Sequence, residues 1–467
     1  MGCEHSDRTC CEQYLKFNFS VTRNTLVDAL NPIPMRTFII LWLGQLASSI
    51  GSSMTYFALT LWIWQQTQSA TAIALILVFY QLPQVAISVL SGILVDRVSR
   101  KSLLIVSDTA SACCTFSVGI LAATQVLQTW HIYFIAAIIG CFGNIQALTY
   151  STMIPLLVSK QHYTRASSMG AMVGYAAGIL SPAFAGVLYP KIGLLGITAI
   201  DMGTFAIAVF TLLIVPIPQT LRVEIDKSPE VKTGKRIWQE ATFGLRYIAS
   251  QRSLFSMAIA MSSFAFLNQI SETLYQPMIL ARTDGNSQIL GTVVAASGVG
   301  GVVGGILLSI WGGFHRRIFG MLFGFIGAGL SNLGLGIGLP VIWAIARFAA
   351  SLHSPLIFSS YMAVWYAKVA PDLQGRVFAA DYLIGLVIES TASLTAGLLA
   401  DQVFEPAMRS GGWVFSLLTP LVGAGAGSGI ALLYILNSCC MVLVGIASFK
   451  VRRLRDAEAL MPDYEAT

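Results

Sequence analysis

Apolar stretches long enough to cross a hydrocarbon core of roughly 30 Å as helices alternate with short polar breaks along nearly the whole chain. In the first half they fall at about 38–64, 70–95, 103–125, 132–158, 168–189 and 194–215, and in the second at about 254–280, 289–311, 318–339, 341–367, 377–400 and 428–449. None shows the alternation, over roughly ten residues per strand, that marks a membrane barrel, so every crossing must satisfy its backbone internally as an α-helix. The pattern predicts an all-α membrane protein with twelve transmembrane helices, six on each side of a polar middle.

That middle, residues 216–252, carries Pro216, Pro218, Pro229 and a dense mix of Lys, Arg, Glu and Asp, and reads as a cytosolic linker. The expected organisation is a cytoplasmic N-terminal tail at 1–35, an N-terminal bundle at 36–216, a cytoplasmic central loop at 217–252, a C-terminal bundle at 253–450 and a cytoplasmic tail at 451–467. Composition agrees with it. Hydrophobic residues make up 55% of the chain and charged ones 11%, against about 25% charged in soluble domains, which excludes an ordinary soluble protein.

The net charge of +6 is a matter of placement. Odd-numbered breaks hold at most a single base, Lys191, Arg282 or Arg409. Even-numbered breaks and both tails hold nearly all the rest, including Arg97, Arg100 and Lys101, Lys160 and Arg165, Arg316 and Arg317, and Lys368 and Arg376. The positive-inside rule then puts both termini in the cytoplasm, in a bacterial-type inner (plasma) membrane. The basic face meets anionic lipid headgroups and gives no reason to invoke nucleic acid. Residues 1–35 are too polar for a signal-peptide core, so the first apolar run is expected to be an uncleaved span. Cysteines in that tail and in the apolar runs form no disulfide framework. Met1-Gly2-Cys3 fits a minimal myristoylation pattern, and Cys3, His5, Cys10 and Cys11 have metal-ligating chemistry, though neither carries the reading.

After the second span, Gly92-Ile93-Leu94-Val95-Asp96-Arg97-Val98-Ser99-Arg100-Lys101 crowds an acid and three bases into one short turn. This run resembles the signature of the major facilitator superfamily. The resemblance covers residues 36 to 450 and implies two pseudo-symmetric six-helix bundles that rock about a central site by alternating access. It implies a conformational latch made by Gly92, Asp96, Arg97, Arg100 and Lys101, with Asp96 approaching the start of the eleventh helix near Arg376. The corresponding segment Gly305 to Arg317 keeps the glycine and the bases but has Ser309 at the acid's position, so the latch is expected to be asymmetric. In the fifth span Gly174, Gly178, Pro182 and Gly186 resemble the superfamily's antiporter signature, with Ser181 where that pattern usually has glycine. Pro371-Asp372-Leu373-Gln374-Gly375-Arg376 resembles the branch of macrolide and enterobactin exporters. The first span lacks the acid that many relatives carry there, which speaks against proton coupling through it.

Charges within spans are costly, on the order of 3 kcal/mol each at the bilayer centre, so Glu272, Arg347 and Glu389 must face partners or water. Glu272 and Arg347 lie at similar depths and are expected to pair. Glu389, near the middle of the eleventh helix without an obvious partner, is the first choice for a proton site. Asp108, Asp201 and Asp381 lie closer to span ends and are read as interfacial or interhelical. Gln45, Asn144 and Asn268, with Gln81, Gln84, Gln146 and Gln269, are candidates to line a substrate cavity. His353 reads as a packing residue, and the glycines from Gly298 to Gly305 as close helix packing, because no phosphate-loop run occurs.

The expected function is proton-coupled efflux of small amphipathic drugs or secondary metabolites by a monomeric transporter, not an enzyme, that needs no cofactor. The alternatives are an uptake symporter or facilitator of the same fold, and a non-transporting receptor or a lipid flippase.

Overall fold

The computed structural model describes residues 35–157, 163–215, 243–409, 422–423 and 425–460; at some of these, among them Gly92, Asp96 and Arg97, the description is of the backbone only. The N-terminal tail with its cysteines, most of the central loop and most of the glycine-rich segment after Arg409 lie outside the described residues.

Eleven helical stretches among the described residues are long and apolar enough to cross a membrane. The first half contains α1 (Met35–Thr67), α2 (Ala70–Arg97), α3 (Arg100–Ala123), α4 (Thr129–Leu157) and α5 (Tyr163–Ile214). The last is broken at Gly193, whose φ of 63° and ψ of −170° leave the helix just after Pro190. Glycine has no Cβ to oppose that conformation, and the bend makes two crossings of one stretch. The second half contains α6 (Arg252–Arg282), α7 (Ser287–Trp311), α8 (Arg317–Asn332), α9 (Pro340–Leu352), α10 (Ser354–Lys368), α11 (Pro371–Leu399), α12 (Glu405–Arg409) and α13 (Ser428–Lys450), followed by α14 (Arg452–Arg455) and α15 (Ala457–Leu460). α9 and α10 form one crossing, Pro340–Lys368, interrupted at His353, and α11 runs on through a π-turn, Ala400–Phe404, into α12.

Counted this way the crossings number twelve, and their packing repeats with an offset of six. α2 lies on α4 as α7 lies on α9, α3 on the second limb of α5 as α8 on α13, and α1 on the first limb of α5 as α6 on α11. Two seams join the halves, α2 with α11 and α5 with α7, and exchanging the halves turns one into the other.

The apolar core shows how the halves are set. At the end bearing Thr67 and Leu399, one cluster runs through both, from Leu61, Trp64 and Ile73 to Met278, Leu290, Ala396 and Tyr434. At the basic end the clusters are separate: Phe38, Leu41, Leu104, Met153 and Leu212 in the first half, and Leu254, Met257, Met321, Trp365 and Val377 in the second. Small residues grade the α5–α7 seam in the same direction. A Cβ on Gly186 would lie 2.7 Å from the Ser287 carbonyl oxygen and 3.3 Å from Gly291 Cα, and one on Gly298 would lie 3.3 Å from Gly178, whereas Gly174 and Gly305 meet nothing within 4 Å. The bundles are packed together at the Thr67 end and diverge toward the basic end.

Candidate functional site

Glu389 sits on the middle of α11, half-buried, and faces the α2 seam. Its Oε2 accepts a hydrogen bond of 3.2 Å from Gln81 Nε2, a residue of the other half. Gln81 Oε1 is buried without a partner, and no cation pairs with Glu389 among the described residues. Tyr382, two turns before Glu389 on α11, lies beside both Glu389 and Asn144 of α4. Polar groups of both halves therefore meet at mid-seam.

Within the second half, Arg347 on α9 and Glu272 on α6 pair at 2.8 Å. The guanidinium also donates to Ser297 Oγ at 3.1 Å and lies 4.3 Å from the Tyr275 ring centroid. Asn268, a turn before Glu272, is half-buried and has no side-chain hydrogen bond to a described residue. Gln269 donates to Ser393 Oγ of α11 at 3.0 Å.

The first half holds two carboxylates that take the interhelical of the two expected roles. Asp108 and Asp201 are each 3% exposed, because depth along a helix says nothing about facing, and both face inward. Asp108 accepts from Gln45 Nε2 at 3.1 Å and from Gln146 Nε2, so Gln45 is spent on this network. Asp201 accepts from Ser52 Oγ at 3.1 Å and from the Thr55 and Thr115 hydroxyls, both at 2.9 Å. Gly51 permits this approach of α1: its Cβ would lie 2.9 Å from Asp201 Oδ1. Both carboxylates line a cavity of about 200 Å³ with Ser48, Ser49, Tyr56 and Tyr80. Every partner is neutral; hydrogen bonds to a charged acceptor contribute roughly 1.5–3 kcal/mol each and offset the cost of burial. The signal available beforehand was a hydroxyl-rich face on α1 at Ser48, Ser52 and Thr55. Asp381, the third acid read as interfacial or interhelical, accepts from the Tyr361 hydroxyl of α10 at 2.6 Å.

At the basic end, Lys101 Nζ donates to the Val215 carbonyl at 3.1 Å and so caps the C-terminus of α5, where a cation is favoured. Arg100 opens α3 behind the Ser99 cap. Arg376 is exposed and lies 5.5 Å from the Phe243 ring. The Asp96 side chain is outside the described residues, and so is its expected approach to Arg376. Of the antiporter-like residues of α5, Pro182 and Gly186 pack on Gly291 of α7 and Gly178 on Gly298, while Gly174 meets nothing within 4 Å; Ser181 instead faces α1 and donates to the Ile50 carbonyl at 2.8 Å.

Two six-helix halves related by exchange, joined along two seams and parted at one end, define a major facilitator transporter. The chain belongs to the transmembrane secretion effector family of that superfamily, whose model matches residues 27–372. It is 25% identical to macrolide efflux protein A of Streptococcus pyogenes over 379 residues, 78% of this chain and 90% of that one. It is 22% identical to multidrug efflux pump Tap of Mycolicibacterium fortuitum over 381 residues, 78% and 89% of the two chains. The fold is that of a bacterial homologue of the iron transporter ferroportin in its inward-facing state, with a TM-score of 0.64 at 12% identity over 89% of this chain and 98% of that one. The protein is a membrane transporter of this family and not an enzyme.

Proposed function

We propose that this transporter exports small amphipathic molecules by alternating access, driven by protons, with Glu389 as the group that carries the proton. The observation that carries the reading is the Glu389–Gln81 contact: an acid of one half, without a basic partner among the described residues, bound to an amide of the other. Ionised, Glu389 accepts from Gln81 Nε2; protonated, it has a proton to donate, and the buried Gln81 Oε1 is an acceptor without a partner. A change of protonation state there alters what joins α2 to α11.

The bundles take the boundaries 36–216 and 253–450, and the basic end is cytoplasmic by the positive-inside rule. The cleft then opens to the cytoplasm, a loading state for export. Relatives named for macrolide and multidrug efflux support amphipathic solutes, as do the aromatic and hydroxyl groups of Tyr56, Tyr80 and Tyr382 around the path.

The test is transport in proteoliposomes under an imposed pH gradient, after a panel of drugs and metabolites has been screened for ligand-induced thermal stabilisation. Glu389→Gln is expected to abolish gradient-driven uphill transport while leaving counterflow exchange. Unchanged uphill transport removes Glu389 as the proton site, and accumulation in the opposite direction removes export.

A further inference from the structure

At the rim where the halves are packed together, the second half reaches into the first through Asp401. This residue stands on the π-turn that follows α11. Its Oδ2 accepts from Ser69 Oγ at 2.5 Å and from the Thr71 amide at 2.8 Å, and its Oδ1 accepts from the Ala70 amide at 3.1 Å. Ser69 Oγ in turn accepts from the Ala72 amide at 3.2 Å. Ala70, Thr71 and Ala72 are the first three residues of α2, whose amides have no acceptor within the helix. Two of the three are satisfied from the opposite half of the molecule, by an anion placed where the helix dipole favours one.

The approach is built in on both sides. One turn before the π-turn, a Cβ on Gly397 would lie 2.6 Å from Thr71 Cα and 3.0 Å from Ala74 Cβ, so glycine lets α11 touch the start of α2. A neighbouring acid supplies the contrast. Glu405 Oε1 accepts from the Gly427 amide at 2.6 Å, just before α13, but Glu405 and α13 belong to the same half and move together. Rocking of the halves separates Asp401 from α2 and leaves Glu405 where it is.

We propose that Asp401 is the latch of this rim: its carboxylate holds the N-terminus of α2 while the halves are closed there, and its release gates opening of the path at this end. The chemistry is that expected of Asp96 and the start of α11, with the halves exchanged and at the opposite end. The proposal rests on the transporter reading and is independent of proton coupling, direction and substrate.

The experiment reads conformation without solute flux. Spin labels carried on unnatural amino acids replace Gln66 and Gln402, both exposed and on opposite sides of the seam, and their separation is measured by double electron–electron resonance on the full chain in lipid nanodiscs. Asp401→Ala is expected to add a longer-distance population and lower the closed-to-open ratio by roughly tenfold, the size of a lost helix cap. Asp401→Asn and Ser69→Ala, which remove less, are expected to lower it by a smaller factor and serve if the alanine variant does not fold. Glu405→Gln is expected to leave the distribution of the parent. A parental distribution in folded Asp401 variants overturns the proposal, and so does equal opening by Glu405→Gln, which would mark a general loosening of the rim.

Discussion

Glu272 and Arg347 meet at 2.8 Å but are unequally buried: the arginine side chain is 3% exposed and the glutamate side chain 36%. The two single replacements should therefore differ. Glu272→Gln leaves a guanidinium buried without its counter-charge, at a cost of about 3–5 kcal/mol. Arg347→Met keeps volume against Tyr275 and leaves a carboxylate that water can reach, at a cost of about 1 kcal/mol. The double variant should recover most of the loss, because neither charge remains. Thermal unfolding of the solubilised protein measures all three, and equal losses for the single variants would contradict the asymmetry.

Gln81 bears on coupling from the opposite side of the seam. Gln81→Leu removes the donor to Glu389 and the unpartnered Oε1 while keeping the acid, so the proposed proton carrier is retained. Uphill transport should persist with turnover lowered by about tenfold, the scale of one hydrogen bond to a charged group. Loss of uphill transport as complete as in Glu389→Gln would mean that the amide, too, belongs to the proton path.

Asp201 is held by three hydroxyls, two of them on the same oxygen. Replacing Thr55 and Thr115 together by Val preserves shape and strips donors from a buried carboxylate, with an expected loss of about 2–5 kcal/mol. Asp201→Asn removes the charge, retains one acceptor oxygen for the Thr55 and Thr115 hydroxyls and turns the Ser52 hydroxyl from donor to acceptor, so it should cost less than about 1.5 kcal/mol. A reversed order in thermal unfolding would show that the hydroxyls do not serve an ionised Asp201.

Much of this arrangement is legible along the chain, for identifiable reasons. Crossings announce themselves because hydrocarbon demands apolar length, and Gly193 falls in the gap between the fifth and sixth apolar runs. Glu272 and Arg347 are readable as partners because each alone would be costly at matching depth. The facing of Asp108 and Asp201 is hidden, since helices apolar on nearly all sides give little sign of which side is inward. Asp401 is hidden for another reason. Besides the Ser69 hydroxyl its partners are backbone amides 330 and 331 positions away, and a backbone amide has no sequence signature.

The glycine series on α5 separates a seam from a mere abundance of small residues. At Gly186 an added methyl would lie 2.7 Å from the Ser287 carbonyl oxygen on α7, a contact that side-chain rotation cannot relieve. Gly186→Ala should therefore wedge α5 from α7 at the closed end and cost about 1–3 kcal/mol through overpacking. Gly174, nearer the basic end, meets nothing within 4 Å, so Gly174→Ala should stay within about 0.5 kcal/mol of the parent. Transport should follow the same order, because in the proposed alternating-access cycle α5 and α7 close and part: turnover falls for Gly186→Ala and holds for Gly174→Ala. Matched stability and turnover in the two variants would show that the stripe does not set the approach of the halves, since only a seam closed at one end and open at the other makes identical methyl groups unequal.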